Sequence, residues 1–345
     1  MRVLIVGADS QYAIEKPYLH YLSQHENVSS VELFAAQNQF LAYYRKSLFH
    51  KLLYRAGISR ILQEINERLK KKIESFRPDV VLVFKGMEIF PSTLRWARGQ
   101  GIKLANYNPD NPFIFSGSGS GNKNVTQSIS LYDLHLTYNS RVKEKLDKEY
   151  KIRTRILPFG FDVPDALYNE AAGENEIIKV CFLGNADKFR AAFIDGLAQG
   201  GLELDVYGQY WGRFHLHAKV SYYGAVYGDD FWKTLRKYRV QLNIMRPHNP
   251  DSHNMRSFEI AGIGGIQLAP RTPEHELYFE EGKEIFLYAD MADCIQKAKY
   301  ILALSKEAAG GVRTAARKRS LEGGYSYRDR AWDVVEIFEG LLGRE

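Results

Sequence analysis

The chain has 345 residues, 45% of them hydrophobic and 26% charged, which suits a globular protein of two domains, each able to bury its own core. A net charge of +6 and a pI near 9.0 favour anionic partners, whether nucleotides, phospholipid headgroups or nucleic acid, without choosing among them. Two cysteines, Cys181 and Cys294, are too few for a disulfide framework or a cysteine-built metal site and point to a reducing cytoplasm, and no apolar run approaches the roughly 20 residues that span a bilayer.

The N-terminal Met-Arg-Val-Leu-Ile-Val-Gly is too short an apolar run for a signal peptide and reads as a first strand ending in a glycine turn. Strands are expected at 2–6, 31–35, 80–84, 103–106, 135–137 and 154–157, with helices between them that include 61–76, 91–99 and 140–149. Between Arg45 and Lys72 nine Lys or Arg stand against two Glu, interleaved with aromatic and aliphatic residues from Phe40 onward. That pattern fits a core-facing helix with a solvated basic face, or one lying on an anionic membrane through 40–72. Pro158 to Pro164 and the polar 169–176 mark a linker, placing domains at 1–168 and 169–325. Strands then resume at 177–183, 202–207, 220–222, 240–244, 266–268 and 285–288, the alternation of doubly wound α/β domains.

Ligands of such sheets bind beyond the carboxyl ends of the strands, so those ends hold the candidates. They carry Gly7-Ala8-Asp9-Ser10, Lys85-Gly86, and the turn with Asn108, Asp110 and Asn111, which precedes a Gly/Ser patch at 117–121 that reads as a substrate-side or a plain surface loop. In the second half Gly184-Asn185-Ala186-Asp187-Lys188-Phe189-Arg190 joins a glycine turn to two cations at a helix start, an arrangement suited to a diphosphate. At 251–265 a polar loop opens a short helix at Asn254 and the helix ends on glycines before a buried strand, a pattern that fits either a cleft faced by Asp251 and Glu259 or plain strand–helix packing. No histidine or carboxylate set has metal-ligand spacing, and nucleophile-elbow, P-loop and nucleic-acid motifs are missing, so no metal, cofactor or nucleic acid is expected.

Phe182-Leu183-Gly184-Asn185, Val206-Tyr207-Gly208, the run Tyr223 to Asp229, Leu242-Asn243-Ile244 and Asn254-Met255-Arg256-Ser257-Phe258-Glu259 through Gly265 resemble, in order, the CgeB-like glycosyltransferases of the GT-B superfamily of group 1 sugar transferases. The match covers about 177–335; the first half is similar more loosely, through 78–86, Asp110-Asn111-Pro112 and 158–162. The resemblance implies two Rossmann-like, doubly wound domains facing a central cleft, with a nucleotide-sugar donor on the second and the acceptor on the first, and a final helix, 326–345, packing back on the first. It implies that Glu259 holds the ribose hydroxyls and that Gly184, Asn185, Lys188 and Arg190 line the diphosphate with Arg256 near it. Tyr207, Gly224, Arg246, Asn254 and Ser257 complete the implied donor set. Asp251 stands where the family carries the first glutamate of a Glu-x7-Glu pair, one methylene shorter, which puts its sugar contact in question.

On this reading Lys85, Asn108 and Asn111 face the acceptor, a carbohydrate or lipid-linked molecule. Asp110, then Asp9, would take the acceptor's proton if the reaction inverts configuration. Asp110 equally suits capping of its own turn. The implied activity is metal-independent transfer in cell-surface polysaccharide or glycoconjugate synthesis, in the cytoplasm or on the inner face of the plasma membrane. A GT-B sugar-nucleotide epimerase and a non-catalytic nucleotide-sugar-binding protein are the alternatives.

Overall fold

The computed structural model describes residues 1–115, 119–173, 175–245 and 251–343. The chain divides into two compact units, Met1–Pro158 with Tyr327–Glu345, and Phe159–Ser326. The second unit therefore begins at 159 and not at the expected 169, because the stretch read as linker contains a helix that packs within it.

In the first unit the strands are β1 (Arg2–Val6), β2 (Ser30–Phe34), β3 (Val80–Phe84), β4 (Lys103–Asn108), β5 (Leu134–Thr137) and β6 (Thr154–Ile156). The helices are α1 (Glu15–Leu22), α2 (Ala36–Arg45), α3 (Leu48–Arg55), α4 (Ile61–Phe76), α5 (Pro91–Gly99), α6 (Lys123–Ser128) and α7 (Ser140–Lys145). All strand pairings are parallel, in the order β2-β1-β3-β4-β5-β6. A parallel sheet covered by helices on both faces needs strands that are apolar throughout, which is why β1 and β3 read as unbroken Val/Leu/Ile runs. Alternate residues serve opposite faces: Val3, Ile5, Val80 and Leu82 pack with α1, and Leu4, Val6, Val81 and Val83 pack with α4 and α5.

The second unit opens with α8 (Asp165–Ala172) and β7 (Ile177–Leu183), followed by α9 (Lys188–Gln199), β8 (Leu204–Tyr207), β9 (Val220–Tyr223), α10 (Gly228–Lys237) and β10 (Tyr238–Leu242). It continues through α11 (Met255–Gly262), β11 (Gln267–Pro270), α12 (Pro273–Tyr278), β12 (Phe286–Tyr288), α13 (Met291–Leu302) and α14 (Lys306–Glu322). Its sheet, again parallel, has the order β12-β11-β10-β7-β8-β9. The last helix, α15 (Tyr327–Leu342), belongs to the first unit, where Tyr327, Ala331, Val334, Val335 and Phe338 join the core around Val3, Tyr18 and Leu22.

The segment rich in basic and aromatic residues is three helices instead of one. Ser47 caps α3 through the His50 N–H, and Gly57, at φ +73°, breaks the chain before α4. Only α4 carries the expected apolar stripe, burying Ile61, Ile65, Leu69, Ile73 and Phe76, whereas α3 buries no residue. At the other end of the chain, fully buried Phe338 makes α15 part of the first core. Phe338→Ala is expected to destabilise the first unit by about 3–5 kcal/mol in urea unfolding.

Candidate functional site

In the second unit the strand order reverses between β7 and β10, and their carboxyl ends frame the crevice where open α/β sheets take ligands. The turn after β7 is stitched to the turn after β8. The Gly184 carbonyl accepts from Trp211 Nε1 at 2.9 Å, the Ala186 N–H donates to the Gln209 carbonyl at 2.9 Å, and Asn185 Oδ1 accepts the Gln209 N–H at 3.0 Å. Gly208 has φ +146°, and a Cβ there would lie 2.3 Å from the Gly184 oxygen, so only glycine lets the two turns approach.

Arg190 spans the switch point. Its guanidinium donates to the carbonyls of Asn185 at 3.1 Å and Ile244 at 3.5 Å and lies 5.3 Å over the Phe182 ring. The start of α9 differs from the expectation of free N–H groups awaiting a phosphate: Asp187 caps the helix, taking the Arg190 N–H at 2.9 Å. Lys188 is exposed, so of the two cations it is the one held by solvent and not by the fold.

The start of α11 is held by a buried polar network. Asn254 and Ser257 form a capping box, Asn254 and Asn243 exchange reciprocal amide hydrogen bonds of 2.8 and 3.1 Å, and Ser257 Oγ lies 2.8 Å from His275 Nε2. Nδ1 of His275 faces the Pro270 carbonyl at 2.8 Å, which can only accept, so Nδ1 carries the proton and Nε2 accepts from Ser257. Beside it one Glu274 oxygen accepts from Ser252 Oγ at 2.7 Å, from the His253 N–H at 3.1 Å and from His253 Nδ1 at 2.7 Å. Asn254 and Ser257, read as donor ligands, thus spend their polar atoms within the protein, and His253, Glu274 and His275 are supports that sequence inspection passed over. A Thr-Pro helix start at 272–273 was their only local signal.

On the exposed side of this network Arg256 forms an ion pair with Glu259 one turn on, and its guanidinium sits 4.5 Å over the Phe231 ring. Glu259 is 8% exposed, and burial raises its pKa above the usual carboxylate range while Arg256 opposes the rise. Asp251 adopts φ +58°, a conformation that side chains with a Cβ seldom take. Tyr207 stacks on Tyr223, ring centres 4.8 Å apart, and its hydroxyl lies 2.8 Å from that of Tyr238, which donates to Asp205 at 2.7 Å. Gly224 is exposed with open space around it, and Arg246 lies outside the described residues.

In the first unit the equivalent reversal falls between β1 and β3. A cavity of about 180 Å³ lies there, lined by residues that include Gly7, Ala8, Glu15, Lys85, Glu88 and Pro109. Lys85 takes φ +58° and binds Asp110 at 2.6 Å and the Gly119 carbonyl at 2.9 Å. Asn108 Oδ1 accepts the Asp110 N–H at 3.0 Å, and Asn111 Oδ1 accepts from Phe113 and Ile114, so both also shape their turn. Asp9 is exposed and ion-paired with Lys16. Both expected proton acceptors, Asp110 and Asp9, therefore hold a lysine. The buried carboxylates at this strand edge are Glu15 and Glu88, which the sequence reading did not single out. Among the described residues no group of three or more His, Cys, Asp or Glu is placed to hold a metal ion.

The neutral His275 makes the α11 network sensitive to acid. Burial lowers its pKa from 6.5 to about 4, so between those values the unfolded chain binds the extra proton and stability falls with pH. From this histidine the second unit is expected to lose about 2 kcal/mol between pH 7 and pH 5. Urea titrations at the two pH values should show that loss reduced in His275→Gln; an unchanged loss would assign the titration elsewhere.

Residues 190–336 match the model of a family described as glycosyl transferase-like. A search of curated proteins finds no significant match. Among solved structures the chain is similar to the sucrose-phosphate synthase of Thermosynechococcus elongatus, with 10% identity, a TM-score of 0.70 and 100% of both chains covered. It is similar to Anabaena HepE, solved in complex with UDP and with UDP-glucose, at 12% identity and a TM-score of 0.64, covering 99% of this chain and 100% of that one. A UDP-GlcNAc 2-epimerase from Neisseria meningitidis bound to UDP-GlcNAc shares 16% identity and a TM-score of 0.55, with 98% of this chain and 99% of that one covered. Identities this low speak for the fold alone. The chain has the GT-B fold, two doubly wound parallel α/β units.

Proposed function

We propose that the protein transfers a sugar from a nucleotide-diphosphate sugar to a carbohydrate or lipid-linked acceptor, without a metal ion, in cell-surface polysaccharide or glycoconjugate synthesis. The Arg256–Glu259 pair at the strand edge of the second unit carries the proposal. A buried carboxylate with one cationic partner can still accept from a pair of ribose hydroxyls, and the polar network behind it fixes its helix. The leaving diphosphate develops negative charge, which Lys188 would meet from solvent and Arg190 from the β7–β10 edge. The Asn254-to-Glu259 element supports the CgeB-like type within this class. HepE and the epimerase, each solved with UDP or a UDP-sugar, support a nucleotide-sugar donor.

The donor is tested by thermal shift with a panel of nucleoside diphosphates and nucleotide sugars, with and without EDTA. One nucleotide is expected to raise Tm regardless of EDTA, and Glu259→Ala to abolish the shift measured against its own unliganded Tm. An unaltered shift in that variant would remove Glu259 from the site. The same fold supports donor epimerisation as a second reading, and analysis of products formed without acceptor separates the two, since an epimerase converts its nucleotide sugar unaided.

The proposal extends to the cytoplasmic face of the plasma membrane. No helix among the described residues is long and apolar enough to cross a bilayer. Helix α3, however, exposes Leu48, Phe49 and Leu52 by 76%, 64% and 62%, with Lys46, Lys51 and Arg55 around them. Apolar anchors ringed by lysine and arginine suit an anionic lipid surface. Flotation with vesicles containing phosphatidylglycerol is expected to carry the protein at low salt and to lose it on Leu48→Glu with Phe49→Glu. Wild-type protein that stays at the bottom at low salt would refute the membrane contact.

A further inference from the structure

We propose that the cavity between β1 and β3 receives the acceptor's hydroxyl group and that Glu88 takes its proton. This rests on the transferase reading above. Glu15 and Glu88 come from different elements, α1 and the turn after β3, yet line one cavity with only 6% and 9% of their surface exposed. Among the described residues neither forms an ion pair; Lys85, the cation on the cavity wall, is held by Asp110 and the Gly119 carbonyl.

The two carboxylates have different freedom. Glu15 is fixed: its Oε1 accepts the Ala8 N–H at 2.7 Å, and it packs so closely on Gly7 that a Cβ there would lie 2.3 Å from that oxygen. Glu88 has only its own backbone amide for support among the described residues. It is therefore the carboxylate left to bind an incoming group. The charged and titratable groups that face it are Glu15 from α1, Lys85 from its own turn and Tyr54 from α3. Burial raises both carboxyls above their ordinary range, Glu15 raises Glu88 further, and Lys85 pulls both back.

Beside cavity-lining Pro109, Asn108 keeps its Nδ2 buried with no hydrogen-bond partner among the described residues. A buried donor of that kind costs stability unless a ligand or water satisfies it, and it suits a sugar oxygen. Lys85, in the left-handed region without being glycine, places further strain at this edge.

In the step itself the acceptor O–H bond breaks, its proton goes to the Glu88 carboxylate, and the oxygen forms a bond to the anomeric carbon of the donor. The bond from that carbon to the diphosphate oxygen breaks, and its electron pair leaves with the diphosphate. A general base acting on the acceptor serves direct displacement at the anomeric carbon, so the product is expected to have inverted configuration.

The test uses the full chain with the nucleotide sugar that raises Tm most, following its turnover with glycan acceptors and with water as acceptor. Glu88→Gln, nearly isosteric, is expected to keep Tm and the nucleotide-induced shift while turnover falls by about 10²–10⁴-fold with donor KM unchanged. Glu88→Asp should restore part of it, and Glu15→Gln should move the acidic limb of the pH profile. Turnover by Glu88→Gln within about five-fold of wild type, too small a change in barrier for the loss of a general base, overturns the assignment, as does a retained configuration in the product. If wild-type protein binds no nucleotide sugar, the transferase reading fails and this inference with it; if it binds and turns over while Glu88→Gln does too, only the base assignment fails.

Discussion

The structure depends on parallel strand pairing, repeated in two sheets. Parallel neighbours need a crossover, the crossover helices cover both faces, and every strand then delivers its carboxyl end to the same edge. Glycines and polar residues collect where the strands stop: Gly7 after β1, Lys85 after β3, Gly184 after β7, Asn243 after β10. The same constraint leaves Val80–Phe84 only to fill the core.

At these edges the fold buries charge in two different ways. Glu259 keeps a cation one turn away, which opposes but does not cancel the desolvation that raises its pKa. Glu15 and Glu88 share a cavity whose lysine is drawn off by Asp110, so their burial is only partly offset. On the proposed reading the first arrangement holds hydroxyls and the second moves a proton. Behind α11 a third group of buried polar residues, Asn243, Asn254, Ser257, His275 and Glu274 among them, satisfies itself almost completely and makes that helix start rigid.

Much of the fold was legible in the residues because the strands are unbroken apolar runs bounded by glycine and polar turns. The strand at 80–84 and the helices at 61–76 and 91–99 coincide with β3, α4 and α5. The helix start at Asn254 was legible too, since a capping box is local chemistry. Less was legible where one segment had to be parted: the basic stretch after Phe40 became three helices, because Ser47 and Gly57 act as cap and break only when the neighbouring turns agree. At the strand edges, residue type did not reveal the partners. Asp110 and Asp9 looked like free carboxylates and each meets a lysine, while Arg190 grips two backbone carbonyls at the reversal of the sheet.

By itself the sequence determined the two α/β halves, their strand positions and the local caps, since hydrophobic period, glycine turns and N-cap chemistry act over a few residues. Tertiary structure alone decided that Glu15 and Glu88, far apart in the chain, line one cavity, and that Lys85 pairs with Asp110. Those outcomes depend on which strand lies beside which and on how deeply each charge is desolvated, and both are properties of the packed chain that no local pattern of residues encodes.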